Sequence, residues 1–282
     1  MNERTALLAA LNWHLDQGAD EAMEDRPIDR LAIKPALVER KSLEEGTQEE
    51  LVTPFARPSI NPPIEKTLPP VKSELLAEAV KLAREAKTLE DLKQAIAKFE
   101  GIAIKKTATN LVFSDGNPKA QVMLVGEAPG ADEDRLGKPF VGVSGQLLDR
   151  ILKCIDLDRK EEDALKSIYI SNILNWRPPG NRTPSPAEAE LSLPFIEKHI
   201  ALIQPKVLIL CGGVSAKALL ASEDGISKLR KGARIYKTLT KDLGVSVSIP
   251  AVATYHPAYL LRTPSQKRAV WEDMLTVDAK RR

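Results

Sequence analysis

The chain has 282 residues, 43% of them hydrophobic, which is enough for one domain with a substantial core and an appended segment. Its 41 basic and 39 acidic residues leave a net charge of +2, which excludes a protein that binds nucleic acid through overall basicity, so any such contact must come from local clusters. Its 2 cysteines exclude a disulfide framework and a four-thiolate metal site.

Residues 1–18 predict a short amphipathic helix. Four leucines share one helical face within residues 3–17, and Gly18 follows as a stop signal. This opening has no apolar run long enough for a signal peptide or a membrane span, so we expect a cytoplasmic protein. Residues 19–72 are rich in proline and charge and lack sustained periodicity, which is typical of a flexible linker.

Residues 73–282 predict an α/β domain with three layers, α/β/α, around a central, mainly parallel four-stranded sheet. The pattern predicts helices at 73–86, 89–98, 143–156, 186–203, 213–221 and 265–279. It predicts strands at 122–126, 167–173, 206–212 and 247–255. Short apolar runs that alternate with helices are typical of a parallel sheet covered on both faces.

Three of the four predicted strands end in polar side chains. Glu127 lies in the segment GEAPG, Asn172 precedes the loop WRPPGNR, and His256 follows the last strand and is restrained by Pro257. Because parallel sheets bind ligands at the carboxyl ends of their strands, we expect these three side chains to line one cleft. An acid, an amide and an imidazole together can manage charge and hydrogen bonds on a small polar ring.

Two of these residues, and Phe140, also fit a structural role when each is considered alone. Glu127 fits a tight turn with a solvated acid, and His256 fits a histidine packed in the domain. Phe140, in the loop after GEAPG, fits either a lid over the core or a stacking platform. The convergence of the polar residues at one sheet edge favours a functional site.

Three motifs resemble the uracil-DNA glycosylase superfamily, and specifically its iron–sulfur branch, family 4. They are GEAPGADEDRLGKPFVG, YISN followed by RPPGNR, and HPAYLLRTP, in that order and with similar spacing. The resemblance covers roughly residues 95–280 and leaves residues 1–72 outside. It implies an enzyme that flips deoxyuridine out of the base stack and hydrolyses its glycosidic bond.

The resemblance also implies roles for the pocket residues. Glu127 would stabilise the sugar cation or orient the attacking water, and His256 would hydrogen-bond the negative charge that develops at uracil O2. Phe140 would stack on the base, and Asn172 would distinguish uracil from cytosine through its amide. Glu133 matches a second acid of the family pocket. The pocket floor would be formed by Gly126 and Ala128.

A second set of residues is predicted to contact DNA. It comprises Arg177, Arg182, Leu260, Leu261, Arg262 and Lys267. The cationic members would contact phosphates, with a solvated rim as the alternative. The two leucines resemble a wedge that fills the gap left by the flipped base, with packing of a helix start on the core as the alternative.

The sequence departs from the family at the cofactor. Family 4 members typically hold a [4Fe–4S] cluster on four cysteines. The matching positions here are Phe99, Ile102, Trp176 and Ser192, and none is a cysteine. We therefore predict no cluster, no other metal and no cofactor, with bulky apolar side chains filling that volume.

The resulting hypothesis is a monofunctional uracil-DNA glycosylase that starts base excision repair. The alternative is a catalytically inactive relative that scans or marks damaged DNA, and a nucleotide hydrolase is a weak third option because GEAPG lacks the lysine and hydroxyl residue of a P-loop. The expected partners are uracil-containing DNA and, through the N-terminal helix, a repair or replication protein. We expect a monomer that works on the bacterial nucleoid, without a membrane.

Overall fold

A computed structural model describes residues 70–232 and 234–282. Its helices are α1 Pro70–Glu85, α2 Leu89–Lys98, α3 Ala131–Leu136, α4 Val143–Lys153, α5 Pro186–Ile203, α6 Gly213–Leu220, α7 Ile226–Leu229, α8 Pro257–Arg262 and α9 Lys267–Arg281. Its strands are β1 Asp115–Gly116, β2 Val122–Gly126, β3 Ile168–Asn172, β4 Val207–Cys211, β5 Arg234–Lys237 and β6 Ser248–Thr254. Short 3-10 turns cover Ala103–Thr107, Pro179–Asn181 and Pro264–Gln266.

The strands form one sheet in the order β1-β3-β2-β4-β6-β5. The four central strands run parallel, and the edge strands β1 and β5 pair antiparallel. Gly126 is the register partner of Asn172, so β2 and β3 end side by side. The parallel direction brings all four central strand ends to one edge, where ligands of such sheets bind.

Alternating residues of the central strands supply two separate cores. On β2, Met123 and Val125 join a cluster with residues of α1, α2, α5 and α6. Val122 and Leu124 join a second cluster with residues of α4, α8 and α9. Because successive side chains of a strand point to opposite faces, this division produces the three-layer α/β/α arrangement.

The predicted fold class and all four predicted strands are confirmed, but the sheet has six strands. The pattern missed β1 and β5 because the first has two residues and the second alternates polar and apolar positions at an edge. It also missed the short helices α3, α7 and α8. Helix α1 begins at Pro70, so the predicted linker 19–72 extends three residues too far. The predicted helix 1–18 lies outside the described residues.

Within residues 70–232 and 234–282, no helix is long and apolar enough to cross a membrane. Both cysteines are free: Cys154 is exposed and Cys211 is buried at the end of β4.

An apolar block joins three segments: the residues that follow α2, the loop after β3, and helix α5. It consists of Phe99, Ile102, Trp176 and Phe195, all buried in the first cluster. The rings of Phe99 and Phe195 lie with centroids 5.3 Å apart at an interplanar angle of 54°. A tilted pair at this distance adds a favourable aromatic contact to the burial of both rings. The block therefore holds residues from three separate segments together.

Replacing Phe99 by alanine is expected to lower the free energy of unfolding by about 3–5 kcal/mol, because it removes buried ring contacts and leaves a cavity. Chemical denaturation of the purified protein measures this change. Trp271→Ala is the matched control, since that aromatic side chain is exposed on α9 and its loss should change stability by less than about 0.5 kcal/mol. Equal effects of the two substitutions would contradict the assignment of Phe99 to a packed core.

Candidate active site

A polar cleft lies at the carboxyl edge of the sheet. It encloses about 500 Å³. Its lining includes Glu127, Glu133, Phe140, Asn172 and His256, together with Ala128, Pro129, Gly130, Ser144, Pro178, Asn181, Arg182, Thr183, Pro184, Ala258, Tyr259 and Arg262. The predicted acid, amide and imidazole therefore meet in one cleft, whose volume suits a nucleoside-sized ligand.

Asn172 closes the inner end of the cleft. Its side chain is only 2% exposed, yet its Oδ1 has no hydrogen-bond donor. A buried acceptor without a partner costs free energy, so this oxygen is poised for a donor from a ligand. Gly126 makes the arrangement possible, since a Cβ at that position would lie 2.4 Å from Asn172 Oδ1 and 2.5 Å from Phe140 Cζ.

His256 presents a neutral imidazole to the cleft. The backbone N–H of Ala258 donates to His256 Nδ1 at 3.2 Å, so Nδ1 is the acceptor and the proton resides on Nε2. Burial lowers the pKa of His256 from 6.5 to about 4, with Glu133 opposing and Arg262 reinforcing the shift. At neutral pH the side chain is therefore an uncharged Nε2–H donor.

Glu127 lies against the start of α6. The backbone N–H of Val214 donates to Glu127 Oε1 at 3.1 Å, and Gly212, with φ +104°, leaves space where a Cβ would lie 2.3 Å from that oxygen. Burial raises the pKa of Glu127, while the backbone N–H groups of Val214 and Gly213 oppose the rise. These donors hold a carboxylate in place without supplying a counter-cation.

Phe140 forms one wall beside His256. The two ring centroids are 5.4 Å apart, with the planes inclined by 30°. Phe140 itself adopts φ +53°, a left-handed conformation that is rare for a bulky residue. This conformation directs a buried ring toward the floor formed by Gly126.

Glu133 organises the wall rather than facing the cleft with a free carboxylate. Its Oε1 accepts from the backbone N–H groups of Val141 and Gly142 at 2.8 and 2.9 Å, and its Oε2 accepts from Gly130 at 3.2 Å. The sequence had grouped Glu133 with the ligand-binding residues. In the structure its hydrogen bonds connect the GEAPG turn to the Phe140 loop.

The predicted DNA-contacting residues occupy different environments. Leu260 is buried in the second core cluster, so its predicted role as a wedge is wrong, whereas Leu261 is 44% exposed. The α8 helix, missed in the sequence, turns one leucine inward and the next outward. Arg262 and Lys267 are both exposed, and Arg262 also lines the cleft.

Arg177 and Arg182 have partners within the chain. Arg177 Nε donates to Asn181 Oδ1 at 2.8 Å. Arg182 forms a bidentate ion pair with Glu188, with N to O distances of 2.8 and 2.6 Å. The Arg182 guanidinium lowers the pKa of Glu188 to about 2. Both arginines thus brace their own loop, and their contact with phosphate stays a prediction.

The four positions that match the family's cluster ligands do not fit an iron–sulfur cluster. Phe99, Ile102, Trp176 and Ser192 are all buried, and none offers a thiolate. Among the described residues, no group of three or more histidine, cysteine, aspartate or glutamate side chains is arranged to hold a metal ion. Trp176 lies in the apolar block, as the sequence predicted.

Several residues around the cleft are not singled out by any pattern in the sequence. Ser144 and Tyr259 line the cleft; Ser144 follows the first motif, and Tyr259 lies within HPAYLLRTP without standing out from it. Arg159 lies in a turn far from any motif, but its guanidinium contacts the Phe140 loop. Only the folded chain reveals these neighbours.

Comparison with known proteins identifies one family over most of this domain. Residues 113–275 match the family model described as the uracil DNA glycosylase superfamily. The type-4 uracil-DNA glycosylase of Pyrobaculum aerophilum is 34% identical over 186 residues, which cover 66% of this chain and 91% of the relative. The type-4 enzyme of Archaeoglobus fulgidus is 34% identical over 190 residues, covering 66% and 89% respectively. That of Sulfurisphaera tokodaii is 32% identical over 191 residues, covering 66% and 81%.

The His256 imidazole is expected to remain neutral as the pH falls from about 8 to about 5, and to take up a proton near its lowered pKa of about 4. Because the unfolded chain binds this proton first, near 6.5, the group's contribution to stability is lost as the pH falls from 6.5 toward about 4. NMR titration of the His256 ring, assigned with a His256→Gln variant, measures the midpoint. A midpoint near the ordinary value of 6.5 would contradict the buried, neutral state.

Proposed function

Because the chain belongs to the uracil-DNA glycosylase superfamily and groups with its type-4 branch, we propose that it removes uracil from DNA by hydrolysing the N-glycosidic bond. The observation that carries this proposal is the unpartnered Oδ1 of Asn172, buried in a cleft beside Phe140 and His256. Release of the base leaves an abasic site, which is the first intermediate of base excision repair.

The amide of Asn172 suits uracil and not cytosine. Uracil presents an N3–H donor next to the O4 acceptor, which complements an Oδ1 acceptor and an Nδ2 donor. Cytosine presents an acceptor at N3 and a donor at its amino group, so both contacts would be mismatched. Because the Asn172 side chain is buried, a mismatched base would leave polar groups without partners, and such losses discriminate strongly.

His256 supplies the hydrogen bond that grows in strength as the bond breaks. Cleavage between C1′ and N1 leaves negative charge on the uracil ring, including O2. A neutral Nε2–H donor can stabilise this charge without first losing a proton, because the Nδ1 atom already accepts from Ala258. The aromatic wall of Phe140 holds the base by stacking while this charge develops.

Glu127 acts on the sugar side of the same bond. Its carboxylate is fixed by backbone N–H groups at the start of α6 and lines the cleft. There it stabilises the cationic sugar or orients the water that attacks C1′. Among the described residues that line the cleft there is no lysine, so we expect no Schiff base and no strand cleavage by the protein itself.

The substrate base must leave the duplex to reach this cleft. We propose that Leu261, exposed at the end of α8, enters the gap left by the flipped base. Arg262 and Lys267 follow it on the exposed side and are suited to flanking phosphates, with Arg177 and Arg182 as further candidates on the opposite loop. We propose on this basis that the protein acts on chromosomal DNA in the cytoplasm.

The alternative, an inactive relative that marks damaged DNA, gains no specific support. The acid, the amide, the imidazole and the aromatic wall are all present and meet in one cleft. A partner bound through residues 1–18 stays a prediction, since that segment lies outside the described residues, and so does the monomeric state.

We also propose that the reaction proceeds without an iron–sulfur cluster. The support is the packing of Phe99, Ile102 and Trp176, which together with Ser192 stand at the positions that match the family's metal ligands. The three apolar residues lie in the first core cluster, whereas the residues of the cleft lie at the strand ends. Loss of the iron–sulfur cluster therefore removes a structural element and not a reacting group.

Asn172→Asp is expected to lower the rate of uracil release by about 100-fold or more, because the substitution removes the donor that meets O4 and places a carboxylate there. Single-turnover assays on a uracil-containing oligonucleotide, followed by alkali, measure the rate. Asn117→Asp is the matched control: its amide bonds to the carbonyl of Glu162 at the opposite end of the sheet, so activity should be unchanged.

Absence of any alkali-labile product from the wild-type protein, on both single-stranded and double-stranded DNA, would overturn the proposed activity. Salt-dependent DNA binding without base release would favour the inactive relative instead. Strand cleavage before alkali would contradict the monofunctional mechanism.

Protein purified with iron and sulfide in the medium is expected to be colourless and to contain no stoichiometric iron, while remaining active. An iron assay and a visible absorption spectrum check this. A brown protein with about four irons per chain would refute the cluster-free proposal.

A further inference from the structure

Arg159 lies beneath the loop that carries Phe140, and its side chain is only 7% exposed. Its Nε and Nη2 donate to Asp149 Oδ1 at 2.9 and 2.7 Å. Its Nη1 donates to Asp115 Oδ2 at 3.2 Å. The same two terminal nitrogens donate to the carbonyl oxygens of Pro139 and Phe140 at 2.8 and 3.0 Å. All five N–H donors of the guanidinium therefore have partners.

The loop needs such support because of its backbone conformation. Phe140 adopts φ +53°, which a bulky side chain does not favour in a free chain. Its carbonyl lies so close to α4 that a Cβ at Gly145 would be 2.0 Å from it. The conformation of Phe140 therefore depends on contacts from outside the loop.

Two charged side chains hold the loop from opposite sides. Arg159 binds the carbonyls of residues 139 and 140, and Glu133 accepts from the N–H groups of residues 141 and 142. Together they engage consecutive peptide groups on both sides of Phe140. The two aspartates that also bind Arg159 compensate its charge where water has little access.

We propose that Arg159 is a positioning residue for the base-stacking wall: it sets the orientation of the Phe140 ring without touching the substrate. This inference rests on the proposed function. A planar guanidinium is required, because it directs five donors at once to two carboxylates and two carbonyls, whereas a lysine has three donors and no fork geometry. Misplacing a positioned group by about 1 Å can cost up to about 100-fold in rate.

The test is a double-mutant cycle on uracil release with Arg159→Lys, Phe140→Ala and the combined variant. Arg159→Lys is expected to lower kcat/KM about 10-fold when Phe140 is present. In the Phe140→Ala background the same change should cost less than about twofold, since the group it positions is already gone. Additive losses would overturn the inference, because they would show that Arg159 acts independently of the ring.

Arg281→Lys is the matched control for the loss of a buried arginine. Arg281 is 10% exposed, forms an ion pair with Asp278 and donates to the carbonyls of Ile155 and Leu165, away from the cleft. Arg281→Lys should lose about as much thermal stability as Arg159→Lys, while its kcat/KM stays at the wild-type value. An equal loss of kcat/KM in both arginine variants at matched stability would reduce Arg159 to a general structural role and overturn the inference.

If the wild-type protein releases no uracil, the proposed function is wrong, but the positioning of the loop can still be measured by proteolysis. Chymotrypsin cleaves after aromatic residues in mobile segments, and Phe140 is buried in a braced loop. Arg159→Lys should be cut after Phe140 faster than both the wild-type protein and Arg281→Lys at a temperature where all three are folded. Equal cleavage rates would contradict the positioning of the loop by Arg159.

Discussion

The pairing of β2 with β3 is the constraint on which the cleft depends. It places Gly126 directly opposite Asn172, so that the backbone of one strand end forms the floor beneath the amide of the other. No side chain larger than hydrogen fits at residue 126, because a Cβ would collide with both Asn172 and Phe140. The Asn172 amide and the Phe140 ring, which we propose recognise and stack on the base, thus meet only because a glycine ends β2. Asn172 lies at a strand end and Phe140 on a loop held by Arg159 and Glu133, and such preorganised support is the condition for the proposed discrimination between pyrimidines.

Burial also shifts the pKa values of Glu127 and His256, the two side chains that we propose take part in the reaction. The same loss of water lowers the pKa of His256 and raises that of Glu127, because burial disfavours the charged form of each group. For His256 the result is a neutral donor, as the proposed reaction requires. For Glu127 the backbone N–H groups at the start of α6 counteract burial and favour the carboxylate. Local hydrogen bonds therefore separate the roles of two groups that share one cleft.

Stability and chemistry occupy different parts of this domain. The apolar block around Phe99 and Trp176 packs in the first cluster, where it joins α2, α5 and the loop after β3. The groups that we propose to react lie at the strand ends, supported by backbone donors and by the ion pairs of the buried Arg159 with the partly exposed Asp115 and Asp149. A change in how the first region is stabilised, from metal ligation to side-chain packing, can thus leave the geometry of the cleft intact. The cluster-free proposal is a direct consequence of that separation.

The sequence by itself determined the four central strands and the residues at their ends, because buried parallel strands are continuous apolar runs and their carboxyl ends must share one edge. Only the tertiary structure decided which neighbouring side chains face inward: Leu260 is buried and Leu261 is exposed, although both lie in one motif. It also revealed that Glu133 and Arg159 hold the Phe140 loop. Such contacts join residues whose separation along the chain carries no periodic signal, so they arise only when the chain is packed.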